Sequence, residues 1–144
     1  MITNEKISKS ALEGTSIKIN PKNTLSIAMY GEGRTRGSVS ILKEEMSTNQ
    51  ACCNVCLDEN KANYEYVYQY LKTQYNNLRS LASGVRKNLN TSHIKNYPIL
   101  LPSLEIQKMI VSKIEKLELK INEAQKTIDS SKSKKVEILK KHLN

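Results

Sequence analysis

The run Met29–Gly37, MYGEGRTRG, sets three glycines and two arginines in a short stretch that interrupts an apolar segment. Glycine lets a backbone turn through positive φ and approach a ligand closely, and the planar fork of arginine matches a phosphate or the edge of a guanine. The loop therefore has the makings of a polyanion contact, with Arg34 and Arg36 as cations and Thr35 as a hydroxyl able to reach a base. A Walker loop does not fit, because no Gly-Lys-Ser/Thr follows, and Gly31-Glu32-Gly33 lacks the spacing of a dinucleotide fingerprint. A charged hairpin turn is the plainer account of the same residues.

A second basic stretch, Val85–Asn90 (VRKNLN), places Arg86 and Lys87 beside Asn88 and Asn90. Arginine and lysine neutralise phosphates and asparagine can bond bidentately to adenine, so this inventory serves both affinity and base readout. Its ordinary reading is a solvated loop followed by a short segment capped by Thr91 or Ser92. Cys52, Cys53 and Cys56 lie in NQACCNVCL, and Cys53 and Cys56 have the spacing of half a zinc site or of a redox pair. A structural zinc needs four ligands, and His93 and His142 are not at paired spacing. No metal site is expected, and three buried thiols in a core strand account better for the cluster. An odd number of cysteines with no secretory signal fits a reducing compartment.

Composition bears on the choice. With 23 Lys+Arg against 14 Asp+Glu, the chain of 144 residues carries a formal charge of +9, which favours a nucleic-acid partner. The apolar residues come in short runs, none near the roughly 20 residues that span a bilayer, so no membrane partner is expected. The start MITNEKISKS has no apolar signal region, and a cytoplasmic location follows as the expectation.

These residues need a scaffold. Without Trp or Phe, the core must rest on Ile, Leu, Val and seven tyrosines. The length allows one domain and an appended element, and a chain this size buries only about two-thirds of its unfolded surface, so a partner or second copy is a source of further stability. Residues 24–30 and 37–42 read as strands flanking the glycine loop, 51–57 as a third, and 16–19 as a fourth ended by Asn20-Pro21. Tyr64, Val67, Tyr68, Leu71, Tyr75, Leu78 and Leu81 fall at helical spacing and predict one amphipathic helix running to Ser83-Gly84. Its tyrosines could stack on bases, but helical spacing favours core packing. Residues 97–102 (YPILLP), bounded by prolines, must be extended.

From Ser103 the period changes. Ile110, Ile114, Leu117, Ile121, Ala124 and Ile128 form a heptad seam among Lys and Glu, and Ser103, Glu105 and Gln107 resemble a helix start. The seam slips at residues 130–135 (SSKSKK) and resumes at Val136, Leu139 and Leu143, which predicts a bend or a change of register. A continuous helix of about 40 residues would run roughly 60 Å. A stripe that long needs a second helix to cover it.

The succession GEGRTRGSVSIL, TNQACCNV, a Tyr- and Leu-rich helix, LASGVRKNLN and YPILLPSLEIQKMIVSKI resembles the specificity (S) subunit of type I restriction-modification systems. It is most similar to the later part of one target-recognition domain followed by the spacer helix. The family's Pro-Pro-Leu-x-Glu-Gln-x-x-Ile motif stands here as Pro102-Ser103-Leu104-Glu105-Ile106-Gln107, with Ile106 between the acid and the amide and Ser103 where a second proline is usual. The resemblance implies an α+β fold: a partial recognition domain over residues 1–102 and a long coiled-coil helix over 103–144. It also implies a non-catalytic subunit that reads one half of a split duplex DNA target and docks methyltransferase (M) and restriction (R) subunits. S-adenosylmethionine belongs to the M partners, and no cofactor belongs to this chain. A complete S subunit has two such repeats, each usually opening on a tryptophan-containing segment, so the chain reads as a half subunit that pairs through its helix with a second copy or another S half, or as an S-gene fragment. Two other readings stand beside it: a coiled-coil protein binding nucleic acid without sequence preference, and a small thiol enzyme centred on Cys53 and Cys56.

Overall fold

The computed structural model describes residues 6–82 and 88–143. The chain divides into two compact units, Met1–Gln107 and Lys108–Asn144. The first is α+β. It opens with α1 (Lys9–Glu13), whose N-cap Ser8 accepts a hydrogen bond from the Ala11 N–H at 3.1 Å. A three-stranded antiparallel sheet follows, built from β1 (Leu25–Ala28), β2 (Val39–Ile41) and β3 (Cys52–Val55) in the order β2-β1-β3. β1 is central, pairing Ile27 with Val39 on one side and with Cys53 on the other. Thr24, Leu25, Ser26 and Ile27 are accordingly all buried, as a strand covered on both faces requires.

The three strands lie inside the predicted runs, but the expected strand at residues 16–19 does not form. Only Asn20 pairs, in a single bridge with Met46 whose two backbone bonds are 2.9 and 3.1 Å. Ile17 and Ile19 remain exposed, so the alternation there has no second layer to bury it. The predicted thiol core needs a similar correction. Cys52 and Cys53 are half-buried and Cys56, beyond the end of β3, is exposed with its sulfur 3.4 Å from Thr24 Oγ1. Burial and the neighbouring Cys52 push the Cys53 thiol pKa upward, which works against a reactive thiolate.

The predicted single helix is two: α2 (Tyr64–Thr73) and α3 (Tyr75–Ser80), separated at Gln74. The Gln74 side-chain oxygen accepts from Asn77 Nδ2 at 2.8 Å and from the Tyr97 hydroxyl at 3.0 Å, which holds the break in place. Val67, Leu71 and Leu78 are buried as the stripe predicts. Tyr66, outside that stripe, is buried too, and its hydroxyl donates to the Leu100 carbonyl at 2.8 Å across from the extended 97–102 segment. A short α4 (Thr91–Lys95) is capped by Asn90, not by Thr91 or Ser92. The Asn90 side chain accepts from the His93 N–H at 2.9 Å, and His93 Nδ1 accepts from the Asn90 N–H at 3.4 Å.

The polar anchor of this unit is Gln107, in the first turn of α5 (Leu104–Leu143) and fully buried. Its Oε1 accepts from the Asn63 N–H at 2.8 Å, and its Nε2 donates to the carbonyls of Lys61 at 3.0 Å and Pro102 at 2.7 Å. Asn63 is also the N-cap of α2, its side chain accepting from the Tyr66 N–H at 2.8 Å. One amide thus joins the loop before α2, the α2 cap and the end of the extended segment.

In the second unit α5 runs as one helix through residues 130–135, so the expected bend or change of register is not a break in the helix. The hydroxyls of Thr127, Ser131 and Ser133 each donate to the carbonyl four residues earlier, at 2.9–3.1 Å, so polar side chains there are satisfied within the helix. The stripe drifts instead: at about 100° per residue, Val136 lies about 80° round the axis from Ile128. Among the described residues, no helix is long and apolar enough to cross a membrane.

Gln107→Ala should destabilise the first unit by about 2–4 kcal/mol, because it strands one donor and two acceptors away from water. Gln107→Glu should be as damaging at neutral pH, since a carboxylate would face two carbonyls. Those carbonyls raise the folded-state pKa of the new group above its unfolded value. Its deficit relative to wild type should therefore be full above the folded pKa and shrink as pH falls through it, when the protonated acid can again donate. Urea melts of wild type and both variants at pH 7 and pH 4.5 measure this; a deficit for Gln107→Glu independent of pH would refute it.

Candidate nucleic-acid interface

The glycine-rich run is the connection between β1 and β2. Its base is closed by backbone bonds from Gly37 N–H to Ala28 C=O at 2.8 Å and from Ala28 N–H to Ser38 C=O at 3.0 Å. Its first residue, Met29, donates to the Ala51 carbonyl at 2.8 Å, which ties the loop to the segment entering β3. The glycine-rich run is thus the turn of a β-hairpin, the plainer account of its residues.

Two glycines have specific work there. Gly37 sits at φ +81°, where a side chain is strained, and a Cβ on it would lie 3.0 Å from Arg79 Cγ, so a substitution would also press on the stem of Arg79. Gly31, at φ +108°, lies so close to Thr35 that an added Cβ would approach its Cβ to 2.9 Å. The loop therefore folds back on itself at Thr35, whose carbonyl also accepts from the Ser38 hydroxyl at 2.6 Å.

Of the residues proposed from sequence, Arg34 and Thr35 are exposed and Arg36 is half-buried. The Arg36 Nε is buried and has no hydrogen-bond partner. Asn88 is exposed on the segment before α4. The adjacent Leu89 is buried, and its N–H donates to the Met29 carbonyl at 3.0 Å. That bond brings Asn88 and Asn90 to the first residue of the glycine loop although they are distant in sequence. Asn90 is exposed but its side chain caps α4, which leaves it less of its amide for a base. Arg86 and Lys87 lie outside the described residues.

The sequence reading missed the residues behind the loop. The Tyr75 hydroxyl donates to the Arg34 carbonyl at 3.0 Å, and Arg79 Nη1 donates to the Arg36 carbonyl at 2.9 Å and to the Tyr75 hydroxyl at 3.0 Å. The Arg79 guanidinium also lies 5.3 Å from the centre of the Tyr75 ring. Tyr75 was legible only as part of a helical stripe, and the tie of Arg79 to the loop carried no signal because its partner there is a backbone carbonyl more than forty residues away. Tyr68 and Tyr75 also line a cavity of about 260 Å³ against Gly37–Val39, so these tyrosines pack towards β2. Lys72 lies over the Tyr68 ring at 5.1 Å.

On α5 the seam residues grade from half-buried at Ile110 and Ile114 to exposed at Leu117, Ile121, Ala124 and Ile128. Leu117 and Ile121 are 59 % and 65 % exposed.

Residues 1–130 match the family profile described as the type I restriction modification DNA specificity domain. A relative from Mycoplasma pneumoniae, named as a "putative type I specificity subunit", is 31% identical over 111 residues, covering 75% of this chain and 29% of the relative. The fold is similar to the crystal structure of a type I restriction-modification system S subunit from M. genitalium, with a TM-score of 0.60 and 23% identity over 78% of this chain and 30% of that one. The chain thus spans under a third of the length of either relative. With a profile matched along nearly its whole length, the chain belongs to the type I restriction modification DNA specificity domain family.

Proposed function

We propose that this chain is a non-catalytic recognition component that reads one part of a duplex DNA target through the β1–β2 loop and the segment before α4. In this reading it directs methyltransferase and restriction subunits to that target, and the methyltransferase partner binds S-adenosylmethionine. The observation that carries the reading is the 3.0 Å bond from Leu89 N–H to Met29 C=O, which brings the asparagine segment against the arginine loop. Phosphate-binding cations beside exposed amides are what sequence-selective binding needs: cations supply affinity and hydrogen-bonding side chains supply choice. The formal charge of +9 adds long-range attraction. Arg86 and Lys87 extend the same basic segment in sequence and belong to the proposed contact.

The seam of α5 supports a second component of the reading. Leu117, Ile121 and Ile128 present large apolar groups at heptad spacing, and a coiled-coil partner helix would remove them from water. A second copy, or another S half, pairing there would bring two recognition units to the two parts of a split target.

Binding titrated across salt tests the first component. Arg34→Ala and Arg36→Ala should each flatten the slope of log K against log salt by about 0.9 if each meets a phosphate. Asn88→Ala should leave the slope alone and alter preference among sequences. Unchanged affinity and preference in all three would move the DNA surface elsewhere. For the second component, sedimentation should show the assembly falling apart when Leu117 and Ile121 are both changed to Asp. A wild-type monomer at high concentration, or an unchanged mass for the double variant, would refute pairing.

A further inference from the structure

A loop that chooses among bases must hold its side chains in one arrangement, because a hydrogen bond to a base edge weakens steeply with misalignment. The β1–β2 loop holds Thr35 by itself, through bonds to its carbonyl from the Ser38 N–H at 3.0 Å and the Ser38 hydroxyl at 2.6 Å, but its tip bond from Thr35 N–H to Glu32 C=O is 3.4 Å long. The residues on either side of Thr35 are held by α3. Arg79 Nη1 donates to the Tyr75 hydroxyl at 3.0 Å, and that hydroxyl donates in turn to the Arg34 carbonyl at 3.0 Å. The same Nη1 donates to the Arg36 carbonyl at 2.9 Å. The two carbonyls held belong to the two residues that carry the loop's cations. The stem of Arg79 meanwhile lies against Gly37, where a Cβ would be only 3.0 Å from its Cγ.

We propose that Tyr75 and Arg79 are positioning residues for DNA selection: without touching DNA, they fix the backbone at Arg34 and Arg36 so that the loop meets one base sequence better than others. This rests on the loop being the DNA contact proposed above. The assignment separates Arg79 from the other arginines near the loop. Its charge serves the fold of the loop, whereas those of Arg34 and Arg36 serve the ligand.

The test uses the full chain and two duplexes: one selected by the wild-type protein from a randomised pool, and one scrambled duplex of equal length and composition. Tyr75→Phe removes a single oxygen, and Arg79→Met keeps the stem while removing the donors. Each should lower the ratio of selected to scrambled affinity by about tenfold, the scale of one good base contact. The salt slope should stay within about 0.3 of wild type for both, since no phosphate contact is lost. Arg34→Ala, as the control, should flatten the slope by about 0.9. A ratio within twofold of wild type for both variants overturns the proposal, as does a slope flattened by about one unit in Arg79→Met, which would make Arg79 a phosphate ligand. If Arg79→Met fails to fold, Tyr75→Phe decides alone. An Arg34→Ala variant that binds like wild type, or a pool that yields no preferred duplex, refutes the DNA reading of the loop itself and the proposal with it.

Discussion

The recognition unit depends on one buried amide. Gln107 has no exposed surface, and its oxygen and both amide hydrogens are matched by a backbone N–H and two backbone carbonyls. Those three groups belong to segments that share no secondary structure: the turn begun by Asp58, the cap of α2 and the proline that ends the extended segment. Backbone groups sealed from water must find partners, and here one side chain serves all three. A glutamate could not donate, an asparagine would be one methylene shorter, and an apolar residue would leave every partner stranded. This is a physical reason for an amide at that position and for fewer demands on its neighbour: Ile106 is 44 % exposed, whereas Gln107 is 0 % exposed.

From that anchor the structure leads to the candidate interface. Gln107 fixes where α2 starts; α2 packs on β2; the break at Gln74 redirects the chain so that α3 reaches the hairpin loop. Both polar contacts of α3 with the loop go to main-chain carbonyls, so the loop's shape is held by groups that do not depend on its own side chains. Such an arrangement lets the exposed residues at the tip differ without loss of the fold, which suits a surface whose chemistry must be matched to a particular ligand. Gly37 is the point where this scheme would strain a side chain, through backbone angle and through its close approach to Arg79.

The long helix follows another logic. Its serines and threonines return hydrogen bonds to its own carbonyls, which keeps the helix continuous across a stretch where the apolar repeat fails. Helix continuity and seam continuity are separate properties: the first needs only backbone bonds and tolerable side chains, the second needs a repeat near 3.5 residues. In the second unit the apolar repeat therefore rotates around an unbroken helix, and its best-aligned exposed part runs from Leu117 to Ile128.

The three strands, the extended proline segment and the long helix were legible in the sequence, because alternation, proline and heptad spacing are local signals that tertiary contacts here did not override. The basic loop and the Asn88–Asn90 segment were likewise legible as residue inventories. Their proximity was not, since it comes from one backbone bond between Leu89 and Met29. Tertiary structure also decided what local patterns misjudged. Residues 16–19 alternate like a strand yet have no neighbour to complete a ladder, and residues 64–81 have one helical period yet are divided at Gln74, whose side chain bonds Asn77 and Tyr97. The roles of Tyr75, Arg79 and Gln107 are beyond any pattern of spacing, because each bonds backbone atoms far along the chain, and a main-chain carbonyl leaves no mark of its partner in the sequence.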